Sequence, residues 1–118
     1  MATTNYLRRD VVDVVLDPRV GSEQKGTRPC LIVQNDVGNQ FAPTTIVVPF
    51  TDFTNVKKMY PTLVKVDAGE GGLALDSAAL CSQIVTIDKT RIKKKRGTVS
   101  GPTMEKVDKA LKVSLHLS

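Results

Sequence analysis

The stretch VGSEQKGTRPCLIVQND, Val20–Asp36, decides how this chain is read. Gly21, Ser22, Glu23, Gln24, Lys25 and Gly26 have the composition of a surface loop. The run CLIVQN that follows begins almost wholly apolar, the pattern of a strand buried on both faces or nearly so. Between loop and strand stands one arginine, Arg28, next to Pro29. A permanent cation at the mouth of a buried strand is the feature to be explained.

Working outward, DVVDVVLDP is a strand with β-branched bias, stopped by Asp17-Pro18. Downstream, DVGNQFAP reads as a connecting loop and TTIVVPFT as a third strand, with Pro49 implying an edge position or a bulge. DFTNVKKMYP is a polar, basic loop, TLVKV a strand and DAGEGGLALD a turn-like segment. The first part of SAALCSQIVTID fits either helix or strand, whereas CSQIVTI alternates as a strand does. KTRIKKKRGTVS carries Lys89, Arg91, Lys93, Lys94, Lys95 and Arg96, a run that reads as a solvated turn or as an electrostatic lure for RNA. The last segment is the clearest helix: Ser100 or Gly101 caps it, Pro102 suits its first turn, and Met104, Val107, Leu111 and Leu115 make one stripe. Short strands followed by one helix imply a mainly β, α+β fold, a small barrel with the C-terminal helix packed on it. At 118 residues the chain is expected to be a single domain, 1–118.

A net charge of +5 favours a polyanionic partner. The two cysteines, Cys30 and Cys81, lie in apolar runs without metal-ligand spacing, so buried thiols in a reducing compartment are expected rather than a structural zinc. The N-terminus has no apolar core of a signal peptide, and no apolar run approaches the roughly 18 residues a membrane span needs. The expected location is the cytoplasm, with no membrane partner. Aromatics are 4% of the chain, too few for base stacking to dominate any RNA contact; Phe41 and Phe53 are the loop candidates. His116, the lone histidine, reads as a surface residue near the chain end.

The second and third strands form a natural hairpin. If Asn35 pairs with Thr44, the antiparallel register places Arg28 directly opposite Thr51 at the open end. A guanidinium fits two phosphate oxygens and stabilises the extra charge of a pentacoordinate phosphorane. A threonine hydroxyl can donate to a nonbridging oxygen. RNA brings its own nucleophile, the 2′-OH, so such a pair needs neither metal nor cofactor. The chain has no histidine pair, no carboxylates at metal spacing and no P-loop. The alternative at this level is structural: Arg28 anchors the loop through backbone carbonyls, and Thr51 ends a strand.

VGSEQKGTRPCLIVQND, TTIVVPFT, SQIVTIDKTRI and TMEKVDKALKVSL together resemble the MazF/PemK toxin family, over nearly the whole chain from about Arg8 to Leu117. The resemblance implies a small SH3-like β-barrel with short helices, a homodimer, and metal-independent, sequence-selective cleavage of single-stranded RNA. It also implies inhibition by a labile cognate antitoxin, expected to be an acidic, extended segment that competes for the RNA groove. By the same resemblance Arg28 and Thr51 match the catalytic pair, Ser22, Glu23 and Gln24 the loop flanking the RNA, and Gln83 the glutamine of a Q-I-R-T motif. Which group is the general base stays open; Glu23, the one carboxylate of that loop, is one candidate. A non-enzymatic gyrase poison on a similar barrel and an RNA-binding barrel that does not cut are the alternatives. Two departures stand out: Arg9 occupies a position where the family has glycine, strained if its φ is positive, and Val85 replaces the Q-I-R-T arginine.

Overall fold

The computed structural model describes residues 5–118. In chain order come β1 (Asp10–Val15), β2 (Thr27–Ile32), α1 (Asp36–Phe41), β3 (Thr44–Asp52), β4 (Leu63–Val66), β5 (Ser77–Leu80), β6 (Val85–Asp88), β7 (Ile92–Thr98) and α2 (Gly101–Ser114). Single 3-10 turns sit at Phe53–Asn55, Glu70–Gly72 and Lys89–Arg91. The strands form one antiparallel sheet in the order β4-β5-β3-β2-β1-β7, with β6 also paired to β3. This is the expected α+β class. By hydrogen bonding, however, the sheet stays open, because β4 and β7 end it without pairing to each other.

β3 organises the sheet. One edge takes β2 at Val47–Pro49; the other takes β6 at Thr44–Val47 and then β5 at Phe50–Asp52. Pro49 therefore lies in a central strand, not at an edge. The Ile46 carbonyl accepts from the Val33 N–H at 2.9 Å, so even-numbered peptide groups face β2 and odd-numbered ones the other edge. The N–H that proline lacks would fall in the gap where β6 has ended and β5 has not begun.

Alternation along the strands divides the core in two. Val11, Leu31, Val48 and Phe50 join Val64, Val66 and α2 residues Met104, Val107 and Ala110 in one cluster. Val12, Val14, Cys30, Ile32 and Val47 form the other with Ile87 and Ile92. β1 and β2 thus bury both faces, which is why their sequences run apolar rather than alternating. Cys30 and Cys81 are buried free thiols. Burial pushes each up to about 12, helped by Asp13 beside Cys30 and Asp108 near Cys81, so neither is a thiolate nucleophile at neutral pH.

Several local expectations are corrected. DVGNQF is a helix, not a loop: Asn35 Oδ1 caps it by accepting from the Gly38 N–H at 2.8 Å. In SAALCSQIVTID the strands are SAAL and VTID, and CSQI is the turn between them. Its alternation is that of two short strands across a tight corner. The basic run divides: Lys89 and Arg91 lie in a 3-10 turn, as expected, whereas Lys93–Arg96 belong to strand β7. Lysines and bulges are how an exposed sheet edge avoids pairing with other chains, and β7 has both. In α2 the cap is Ser100, whose hydroxyl accepts from the Thr103 N–H, but the buried stripe stops short: Leu115 lies beyond the last turn and is exposed.

Arg9 adopts φ +85°, the left-handed region expected of its glycine counterpart. Its guanidinium offsets the strain by donating from Nη2 and Nε to the Val99 carbonyl at 2.8 and 3.1 Å, tying β1 to the start of α2. Left-handed backbone costs a non-glycine residue about 1–2 kcal/mol. Arg9→Ala keeps that strain and loses the hydrogen bonds, so it should destabilise by about 1 kcal/mol. Arg9→Gly trades relief of strain against lost bonds and added unfolded-state entropy, and should be close to neutral. Urea unfolding of the two variants tests the difference.

Candidate active site

The β2–β3 ladder runs Cys30↔Pro49, Leu31↔Val48 and Ile32↔Val47. This is the register the hairpin reading required; the ladder ends two residues short of Arg28 and Thr51. A buried polar network at the closed end holds the register. Gln34 Nε2 donates to Asn39 Oδ1 at 3.0 Å, Asn39 Nδ2 donates to the Gln34 carbonyl at 2.9 Å, and Thr45 Oγ1 donates to Asn39 Oδ1 at 2.7 Å.

At the open end, Arg28 and Thr51 border one cleft of about 240 Å³, with Asp52, Ser77 and Arg96 also on its walls. Arg28 Nε donates to the Lys25 carbonyl at 3.1 Å, and among the described residues its Nη groups donate to none. The structural role considered for Arg28 is therefore real but uses only one of its nitrogens. Thr51 is 8% exposed, and its Oγ1 accepts from Asn55 Nδ2 at 3.3 Å, leaving its own O–H free to donate. Asp52 caps the following 3-10 turn: the Thr54 N–H and hydroxyl both donate to Oδ1, which holds its carboxyl below the usual range.

Thr51 also borders a second cleft of about 330 Å³, walled by Gln24, Gln83, Asn55, Lys57, Lys58 and Tyr60 among others. Here the loop residues converge with the β5–β6 turn. The Gln24 N–H donates to Gln83 Oε1 at 2.9 Å. Ser22 and Glu23 adjoin Gln83 in a neighbouring depression. Glu23 is engaged within its own loop: Oε2 pairs with Arg19 at 3.0 Å and Oε1 accepts from the Val20 N–H at 2.8 Å. That carboxylate braces the loop and is poorly placed to take a proton from a substrate hydroxyl. Phe53 lies under Lys65 Nζ, 4.9 Å from the ring centre, and Phe41 is exposed on α1. Among the described residues no three His, Cys, Asp or Glu side chains gather as a metal site would need. None of the described helices is long and apolar enough to cross a membrane.

The sequence reading missed Asp52, Asn55 and Arg96 at these clefts. Arg96 was visible only as part of a basic run; its placement depends on a bulge that no periodicity announces.

A cationic cleft with an arginine and a threonine hydroxyl, beside an amide-tethered loop, is suited to binding and reacting at phosphate. The chain belongs to the family described as PemK-like, MazF-like toxin of type II toxin-antitoxin system, whose sequence profile matches residues 7–115. It is 47% identical over 110 residues to Endoribonuclease EndoA of Bacillus subtilis (strain 168), covering 93% of this chain and 94% of the relative. Endoribonuclease MazF of Staphylococcus epidermidis is 45% identical over 111 residues, covering 94% and 92%. Among solved structures, an endoribonuclease in complex with its cognate antitoxin from Mycobacterial species superimposes with a TM-score of 0.79 at 26% identity, covering 96% of this chain and 97% of that one.

The Gln83 tether is the contact most open to test here. Gln83→Ala removes the acceptor for the Gln24 N–H and should speed amide hydrogen exchange across residues 20–26, leaving β2 and β3 protected. Hydrogen-exchange mass spectrometry of wild type and variant reads this directly.

Proposed function

We propose that this chain is the endoribonuclease toxin of a type II toxin-antitoxin pair, cutting single-stranded RNA at the Arg28–Thr51 cleft. The observation that carries the reading is one cleft bordered by a guanidinium with free Nη donors and by a threonine hydroxyl, in a chain 47% identical to a named endoribonuclease. RNA lies across the open end of the sheet, passing from the Arg28 cleft over Thr51 into the cleft with Lys57, Lys58 and Gln83. Its 2′-OH attacks the adjacent phosphorus. Arg28 stabilises the charge that builds on the phosphorane oxygens, and the Thr51 hydroxyl donates to a nonbridging oxygen. As the O2′–P bond forms the 2′-OH proton passes to solvent, and as the P–O5′ bond breaks the 5′-oxygen takes a proton from solvent, giving a 2′,3′-cyclic phosphate and a 5′-OH end. The nucleophile belongs to the substrate, so the chemistry calls for no metal.

Arginine, with a pKa above about 12, is a poor general base. We assign Glu23 to bracing the loop through Arg19 and Val20, and Ser22, Gln24 and Gln83 to contacting the RNA. The whole chain acts as one toxin domain in the cytoplasm, as a homodimer, with an acidic antitoxin segment competing for the groove. A gyrase poison or a barrel that binds RNA without cutting would not require the Arg28–Thr51 pair, and both relatives above are named endoribonucleases.

Incubated with single-stranded RNA in EDTA, the protein should give discrete fragments with 5′-OH ends. Arg28→Ala should abolish cleavage with the fold intact. Thr51→Ala should lose about 100- to 1000-fold, the usual cost of one transition-state donor. Near-wild-type cutting by a well-folded Arg28→Ala protein would rule out the assignment.

A further inference from the structure

The basic run of β7 divides into residues with different surroundings. Opposite β1, Val11 pairs with Gly97 and Val12 with Lys95, so Arg96 is the extra residue of a β-bulge; Asp13 pairs with Lys94 and Val14 with Ile92, which makes Lys93 a second. Bulges re-aim the side chain they insert. Lys93, Lys94 and Lys95 are exposed, and the Lys95 ammonium pairs with Asp10 at 3.3 Å. Arg96 instead reaches the cleft that Arg28 and Thr51 border.

Its placement is built in. Nε donates to Asp13 Oδ1 at 2.6 Å, and Nη1 approaches the Gly72 carbonyl at 3.5 Å. The backbone under it is equally constrained. Gly72, at φ +74°, lies so close that a Cβ there would sit 2.3 Å from the Arg96 carbonyl oxygen, and a Cβ on Gly97 would sit 2.8 Å from Gly71. Bulge and glycine turn are packed backbone to backbone. Asp13, largely buried, neutralises one charge, yet Nη2 of Arg96 donates to no described residue. The carboxylate that lines the cleft, Asp52, engages Thr54 through Oδ1. A guanidinium held by one edge, with its remaining donors on a cleft, is arranged for an anion.

We propose that Arg96 is a second phosphate-binding residue of the Arg28 cleft, aimed by the β7 bulge and Asp13 to hold the phosphate next to the one that is cut. It acts on a flanking phosphate that is bound equally in ground and transition state, so it lowers KM and leaves the chemical step to Arg28 and Thr51. This inference rests on the endoribonuclease reading.

The test compares wild type with Arg96→Ala and Arg96→Gln; the glutamine retains an N–H donor for Asp13 and carries the test if the alanine variant does not fold. Binding is titrated against salt by fluorescence anisotropy. The probe is a 12-nucleotide RNA containing a sequence the wild type cleaves, 2′-O-methylated at the attacking position. Each phosphate contact on single-stranded nucleic acid adds about 0.7 to the slope of log affinity against log salt, so both variants should show a slope shallower by about that amount. KM for the unmodified RNA should rise about tenfold, with kcat within about twofold. A folded variant with wild-type slope and KM overturns the proposal, and so does a lowered melting temperature as its only effect, which would make Arg96–Asp13 a structural pair. A wild type that neither binds nor cuts RNA removes the endoribonuclease reading itself, and this inference with it.

Discussion

One buried carboxamide holds the alignment on which the site depends. Asn39, on the short helix α1, accepts from Gln34 and Thr45 and donates back to the Gln34 backbone, joining the ends of β2 and β3. A strand slipped by one residue presents its opposite face, so a sheet with two different cores cannot tolerate a slip. The network closes only in the observed alignment. Losing one partner would strand the others in a dry environment, which costs more than the bonds themselves contribute. At the other end of the hairpin, Arg28 and Thr51 border one cleft because this end is fixed.

The two ends of the hairpin solve opposite electrostatic problems. At the closed end the side chains of Gln34, Asn39 and Thr45 are themselves neutral and bond one another, with Asp36 and the Thr44 carbonyl as further acceptors. At the open end the charges are permanent, and they are held by single edges: Arg28 by the Lys25 carbonyl, Arg96 by Asp13. Each keeps donors in reserve. A guanidinium held this way has given up side-chain entropy before any ligand arrives, which lowers the cost of binding one. The loop between β1 and β2 is held more lightly, by the Gln24–Gln83 contact and the Arg19–Glu23 pair, consistent with a segment that adjusts to what lies beneath it.

Legibility in the sequence followed the range of the interactions. The continuous apolar run Cys30–Val33 announced a strand buried on both faces, and the spacing from Asn35 to Thr44 carried the hairpin register, because both are local. The Ser100 cap and the first turns of α2 were legible for the same reason. Pro49 misled: a proline speaks for an edge only if a neighbour is opposite its nitrogen, and the break between β6 and β5 is a fact of topology. DVGNQF hid a helix because its Gly38 and Asn39 are poor helix formers in isolation; capping by Asn35 and burial of Asn39 overrode that. The lysine-rich β7 read as a turn because a charged edge strand has no apolar face to announce it. Arg96 escaped as a site residue because a bulge, not periodicity, decides where it points.

Thr51 borders a cleft on either side, and both are grooves on the surface rather than a tunnel. Under the proposed function, that geometry governs how a polymer enters. A tunnel must be threaded from a free terminus, so an enzyme built around one counts residues inward from an end. A trough receives its strand sideways, at any internal stretch that is unpaired and able to lie flat. On that function the topology of the substrate is irrelevant, and a closed ring of RNA is as good a target as a linear one. What protects a message is not a cap or a tail but its own secondary structure and whatever else is already seated on it.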